Sequence, residues 1–239
     1  MKSLKQFLFS IIVCALSTSL VNAQGDSKTN IESFDELKEI IKGNKVLTIN
    51  ELLDFIPADM KSKIIYVYES HALNASLATP LTPRMIFSNT DSSLIFTLTK
   101  SLSSEETAAG KDILEAIAYD KKLKKFQTQI VTFDGKHDPT TLVETNAPVC
   151  LKCHGANPAP IFQDYNSWPG MYGSFSDGGI TMKGTKEYQY LTSFLENKDL
   201  PNSDPRYKKV DTSKFVKTDY GYNYLPTEDT PAFLLGMNI

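Results

Sequence analysis

The sequence predicts an α+β fold with short N-terminal helices, a mostly antiparallel β-sheet, a long loop-rich region and one C-terminal helix. Three observations carry this prediction. Helix-capping signatures occur near the N-terminus, strand-like alternation begins near residue 62, and Pro, Gly, Asn and Asp are dense between residues 136 and 184.

The N-terminal helices are predicted from two capping boxes. Residues 33–36 form the first box, and an apolar helical face follows it until Gly43. Residues 48–51 repeat the signature before a second helix, which Pro57 is expected to end.

Strands are predicted where β-branched and aromatic residues accumulate, which occurs in residues 63–69, 84–87 and 94–99. Residues 124–133 alternate cleanly, and one face carries Phe126, Thr128, Ile130 and Thr132. Residues 111–119 fit either a helix or a strand, and we expect a strand paired with 124–133. Residues 185–196 are the last predicted helix.

The N-terminus has the pattern of a secretory signal peptide. Two lysines precede an apolar run too short to span a bilayer, and small residues precede a cleavage site after Ala23. We therefore divide the chain into a signal peptide (1–23), a helical segment (24–61) and one α+β domain (62–239). The expected location is periplasmic or secreted.

The charge balance argues against a nucleic-acid partner. Removing Lys2 and Lys5 with the signal peptide leaves 23 basic against 28 acidic side chains and moves the net charge from −3 to −5. No later segment is apolar enough for a membrane span. We expect a soluble exported protein.

Cysteine is confined to one motif. Once Cys14 is removed with the signal peptide, Cys150 and Cys153 remain, in Cys150-Leu-Lys-Cys153-His154. C-x-x-C-H is the attachment signature of c-type haem, because two thiols add to two vinyl groups and the adjacent histidine reaches the iron. The motif predicts one covalent haem c per chain, within a haem-attachment region of residues 146–184.

Through residues 150–155 the chain resembles c-type cytochromes. The resemblance implies thioethers at Cys150 and Cys153 and His154 as the proximal iron ligand. The chain departs from small helical cytochrome domains, because its motif follows a long, largely β region.

The chain also resembles a group of exported bacterial proteins of unassigned function, through residues 68–70, 83–84, the motif and residues 168–173. This second resemblance implies that the sheet and the motif form one domain.

Three other uses of the cysteine pair stay open. The first is a local disulfide, which an oxidising compartment permits. The second is a zinc site, which needs further ligands such as His71 or His137, although neither has finger spacing. The third is a thioredoxin-like pair, which expects a strand before the cysteines and a helix after them, and the surrounding prolines fit that poorly. Haem attachment is the leading interpretation.

A sixth iron ligand would set the chemistry, and Met171 is favoured. The alternatives are Met182, Met85, Met237, His71 and His137. Trp168 and Tyr172 belong to an aromatic cluster that would line the porphyrin or else form an ordinary small core. Arg84, one of only two arginines, would bind a haem propionate, although internal pairing with Asp or Glu is the commoner outcome.

We therefore expect an exported c-type haem protein that exchanges single electrons with a periplasmic redox partner. An open sixth position would instead indicate a haem enzyme or sensor, such as a peroxidase-like protein. A haem-free disulfide or metal-binding module is the third interpretation. No catalytic residue is predicted, because neither a Ser-His-Asp set nor paired carboxylates can be placed together.

Overall fold

A computed structural model describes residues 30–69, 78–99, 112–161, 170–173 and 180–224. The fold is α+β and mostly antiparallel sheet, as predicted. The helices are α1 (Phe34–Gly43), α2 (Ile49–Phe55), α3 (Ala58–Ser62), α4 (Pro148–His154) and α5 (Lys186–Asn197). The strands are β1 (Ile65–Val67), β2 (Arg84–Ser88), β3 (Leu94–Thr99), β4 (Asp112–Asp120), β5 (Lys125–Phe133), β6 (Val143–Thr145), β7 (Ile180–Met182), β8 (Phe215–Lys217) and β9 (Gly221–Tyr224).

Side-chain caps begin the first two helices. The Ser33 hydroxyl accepts the Glu36 N–H at 3.2 Å at the start of α1. Thr48 and Glu51 form a complete capping box at the start of α2. Pro57 follows the end of α2, as predicted, and also occupies the N-cap position of α3, a helix that the sequence did not predict. Proline cannot continue the preceding helix because it lacks an N–H and clashes with the preceding turn, whereas at the start of a helix no partner for that N–H is needed.

The main sheet has six antiparallel strands in the order β1-β2-β3-β4-β5-β6. The ambiguous segment 111–119 forms most of β4, which pairs with β5 from Asp112–Phe133 to Asp120–Lys125 and confirms the expected strand. The Asp120 carboxylate accepts the Lys122 and Leu123 N–H groups at 2.8 and 3.0 Å, which closes the hairpin.

The two faces of this sheet differ in polarity. One row of directly opposed residues is wholly apolar and buried, and it consists of Tyr66, Met85, Leu98, Leu114 and Val131. We call this side the apolar face. The row on the opposite side consists of Ile65, Ile86, Thr97, Glu115 and Ile130. We call that side the Glu115 face. Phe194 of α5 packs on the apolar face, with its ring 5.6 Å from that of Tyr66.

The predicted strand 63–69 is shorter in the structure, Ile65–Val67, and the residues at its end pair with a distant segment. The N–H groups of Tyr68 and Glu69 both donate to the Gly170 carbonyl, at 2.7 and 3.1 Å, and the Tyr172 N–H donates to the Tyr66 carbonyl at 3.0 Å. Residues 170–172 therefore extend the sheet beyond β1.

The region from 136 to 184 is more ordered than predicted in its described parts. It contains a 3-10 turn (Pro139–Thr141), β6, α4 and β7. Strand β7 belongs to a second sheet of order β7-β9-β8, and α5 confirms the last predicted helix. No helix in the described part of the chain is long and apolar enough to cross a membrane. The predicted signal peptide lies outside the described residues.

Candidate functional site

The C-x-x-C-H motif lies on a helix, α4, although the sequence predicted a loop there. Pro148 occupies its first turn, where a missing N–H costs nothing and the fixed φ is helical. Gly155 ends it: its N–H donates to the Leu151 carbonyl at 2.9 Å, and its φ of +76° favours glycine. A proline and a glycine thus bound a seven-residue helix.

Asn146 fixes the start of α4 against β5. Its N–H donates to the Thr128 carbonyl at 2.8 Å, and its side-chain oxygen accepts the Thr128 N–H at 3.0 Å. Its φ of +51° is a left-handed conformation that asparagine tolerates better than most residues. The chain therefore leaves β6 and enters α4 at a defined point of the sheet.

The helix places the three motif side chains on one side. At 3.6 residues per turn, Cys150, Cys153 and His154 fall within an arc of about 100°. Cys150 is half-buried, Cys153 is exposed, and both are free thiols. None of the seven residues of α4 is buried. The two thiols are therefore open to one shared reactant.

Cys150 lies toward the Glu115 face of the sheet. Burial raises the pKa of its thiol, a hydrogen bond with the Thr128 side chain opposes this, and Glu115, Glu144 and Cys153 add to the rise. Redox-active cysteine pairs depend on a lowered thiol pKa. The raised pKa of the Cys150 thiol therefore disfavours the thioredoxin-like interpretation, although β6 precedes the motif and the motif lies on a helix.

The His154 ring is oriented by a backbone carbonyl. Its Nδ1 lies 2.9 Å from the Ala159 carbonyl oxygen. A carbonyl oxygen can only accept, so Nδ1 carries a proton, and in the neutral ring the lone pair is then on Nε2. Metal-ligating histidines usually have such a partner on the other ring nitrogen. The residues present therefore fit a c-type haem. The thiols of Cys150 and Cys153 would form the thioether bonds, and His154 would be an iron ligand.

Met171 lies at the other end of the sheet. It forms an isolated β-bridge with Val67, on the side of β1 away from β2, and its side chain is fully buried. Thr128, which contacts Cys150, is on β5. Met171 and Thr128 are therefore five strand spacings apart, which at about 4.8 Å per spacing is roughly 24 Å across the sheet. Met171 as the sixth ligand stays a prediction, and this arrangement does not favour it.

The other candidate iron ligands are scattered. Met182 is exposed and Met85 is buried on the apolar face. His137 pairs with Asp134, with 2.7 Å between Nδ1 and Oδ2. His71 and Met237 lie outside the described residues. Among the described residues, no group of three or more His, Cys, Asp or Glu side chains could hold a metal ion.

Arg84 forms the internal ion pair that was the commoner expectation. Its guanidinium is buried on the Glu115 face, where it pairs with Glu115 and donates to Thr97 Oγ1 at 2.6 Å. Arg206 likewise pairs with Asp204 at 2.7 Å. Propionate binding by Arg84 stays a prediction. Glu115 already neutralises much of the positive charge of Arg84.

Tyr172 is a core residue. Its hydroxyl donates to the Pro80 carbonyl at 2.7 Å, and its ring lies 4.7 Å from that of Tyr68 and 5.9 Å from that of Phe194. Trp168 lies outside the described residues. The described part of the aromatic cluster therefore matches the small-core alternative, at the sheet edge away from α4.

Sequence reasoning missed three residues that build the site, Thr128, Asn146 and Ala159. Asn146 carried a usable signal, because Asn before Ala-Pro suits a left-handed turn ahead of a helix. The contacts of Thr128 and Ala159 have no local signature.

No family model matches the chain, and the searches of curated proteins and of solved structures found no significant match.

Proposed function

We propose that this protein is an exported c-type haem protein that exchanges single electrons with a periplasmic redox partner. The observation that carries the proposal is the orientation of His154. Its Nδ1–H is held by Ala159, so Nε2 is free to bind iron beside two accessible thiols. The signal-peptide pattern agrees, because c-type haem is attached after export.

Each motif residue has one task in this proposal. Cys150 and Cys153 would hold the haem covalently, and His154 would supply a nitrogen ligand to its iron. The haem, when bound, supplies reversible one-electron chemistry at its iron. Asn146 and Gly155 fix the two ends of α4, so the three side chains keep their spacing.

The test is production in the periplasm of a host with haem-attachment machinery. We expect haem that survives denaturing electrophoresis and gives a c-type pyridine haemochrome spectrum. It should disappear in the Cys150→Ala, Cys153→Ala double variant and persist in Lys152→Gln, a matched control inside the motif. A colourless wild-type protein, made while the host's own cytochromes mature normally, would overturn the proposal in favour of a haem-free module.

A haem enzyme or sensor with an open sixth position is a second candidate, and the place of Met171 across the sheet favours it. Carbon monoxide separates the two functions. If carbon monoxide binds the ferrous protein without displacing a protein ligand, the site is open. If the ferrous spectrum is six-coordinate and does not change when carbon monoxide is added, electron transfer is supported.

A further inference from the structure

Exposed apolar side chains occur on and after the motif helix and on the β4–β5 hairpin. Ten large apolar side chains are exposed among the described residues, and four lie on α4, just after it or on the β4–β5 hairpin. These four are Val149, Ile161, Tyr119 and Leu123, with exposed fractions of 37, 56, 38 and 54%. Clustered apolar exposure marks a surface that a ligand or partner covers.

The strand register brings the hairpin end close to α4. Asn146 lies opposite Thr128, and β6 runs antiparallel to β5, so the chain entering α4 heads toward Phe126. Phe126 is two residues from Thr128 on the same face, about 7 Å along the strand. Tyr119 is directly opposite Phe126, with ring centroids 5.3 Å apart at 70°.

We propose that Tyr119, Phe126 and Leu123 form the surface on which the porphyrin held by α4 lies. The inference rests on the proposed function and specifies where the ring packs. A porphyrin is an apolar disc with carboxylates on one edge, and the hairpin offers an aromatic pair beside a cationic turn. Four exposed lysines lie in that turn or directly after it, namely Lys121, Lys122, Lys124 and Lys125.

The competing direction along the Glu115 face offers less room. Thr97, Thr99 and Ile117 are buried there, and Arg84 is already paired with Glu115. Toward the hairpin end this face is exposed at Tyr119, an aromatic side chain, whereas its exposed residue on β6 is the acidic Glu144. The porphyrin therefore covers the hairpin end rather than the centre of the sheet.

The experiment uses the paramagnetism of ferric iron. Ring-labelled phenylalanine and tyrosine are incorporated into the haem-loaded protein, and their NMR lines are compared with those of the haem-free Cys150→Ala, Cys153→Ala variant. Tyr119→Leu and Phe126→Leu identify the two signals. Phe87 and Phe96 are the matched control, because they stack at 5.0 Å on the apolar face of the same sheet.

We expect selective broadening of Tyr119 and Phe126 in the loaded protein, with Phe87 and Phe96 little changed. The Tyr119→Leu, Phe126→Leu double variant should keep its covalent haem content but lose Soret circular dichroism. If the protein carries haem and the hairpin rings are broadened no more than the control pair, the packing site is wrong while the proposed function stands. If no haem is attached, both proposals fail.

Discussion

Two segments of the C-terminal half looked functional in the sequence, and they differ completely in burial. Gly170 to Gly173 are all buried, and Gly170 and Tyr172 are hydrogen-bonded to residues 66–69, whereas no residue of α4 is buried. The first segment completes a sheet, and the second presents two thiols and a histidine to its surroundings. Residues 170–173 therefore stabilise the fold, whereas the cysteine motif is accessible from outside it.

The largest expected effect is that of truncating the buried segment. Tyr172→Ala removes an aromatic ring from the core and a hydrogen bond to Pro80, so we expect a loss of about 4 kcal/mol in the free energy of unfolding. Val149→Ala on α4 should change it by less than about 0.5 kcal/mol. Urea denaturation of the haem-free protein measures both, and similar losses would contradict the contrast drawn here.

A glycine pair sharpens the same comparison. Gly170 has a φ of +82°, and an added Cβ would lie 2.3 Å from the Glu69 carbonyl oxygen, so Gly170→Ala should cost about 3 kcal/mol. Gly155 has a φ of +76° but open space around it, so Gly155→Ala should cost only the backbone strain, about 1–2 kcal/mol. Thermal or urea unfolding separates them. Equal costs would show that residue 170 does not approach β1 closely.

Asn146 tests whether α4 is fixed to the sheet. Asn146→Ala loses the side-chain bond to Thr128 and adds strain at positive φ, so we expect a loss of about 1–2 kcal/mol. Asn146→Gly keeps the backbone conformation and isolates the hydrogen bond. Both variants should also lower the fraction of chains that acquire haem. An unchanged haem yield would indicate that α4 needs no support from β5.

The smallest effect concerns thiol titration in the haem-free protein. Because burial and nearby carboxylates raise the pKa of Cys150, its alkylation should reach half-maximal rate at a higher pH than that of an ordinary cysteine. The Cys153→Ser variant allows Cys150 to be followed alone. Adding Glu144→Gln should move the midpoint to lower pH, since one negative charge is removed. A Cys150 midpoint below the ordinary value would revive the thioredoxin-like interpretation.

The sequence predicted what local patterns determine. Capping residues marked the first two helices, and alternation identified β5 and, with its partner, β4. It could not predict that residues 170–172 pair with β1, because that contact joins segments about a hundred residues apart and leaves no periodic signal. It assigned a loop to α4 because proline and glycine dominate its surroundings, although here they mark the helix ends.

For the site, the motif residues were evident and their supports were not. Cys150, Cys153 and His154 follow from spacing alone. The carbonyl of Ala159 and the side chain of Thr128 contact the motif through folding of the chain, which no spacing rule describes. Met171, Tyr172 and Arg84 are chemically suitable residues, but the structure places Met171 and Tyr172 at the far sheet edge and pairs Arg84 with Glu115.

The most direct measurement is the intact mass of protein purified from a haem-attaching periplasm, with and without reduction and alkylation. The account predicts a mass increase of one haem that survives denaturation, on the peptide containing residues 146–162, with no thiol left to alkylate. A chain that takes up two alkyl groups, directly or only after reduction, would contradict it.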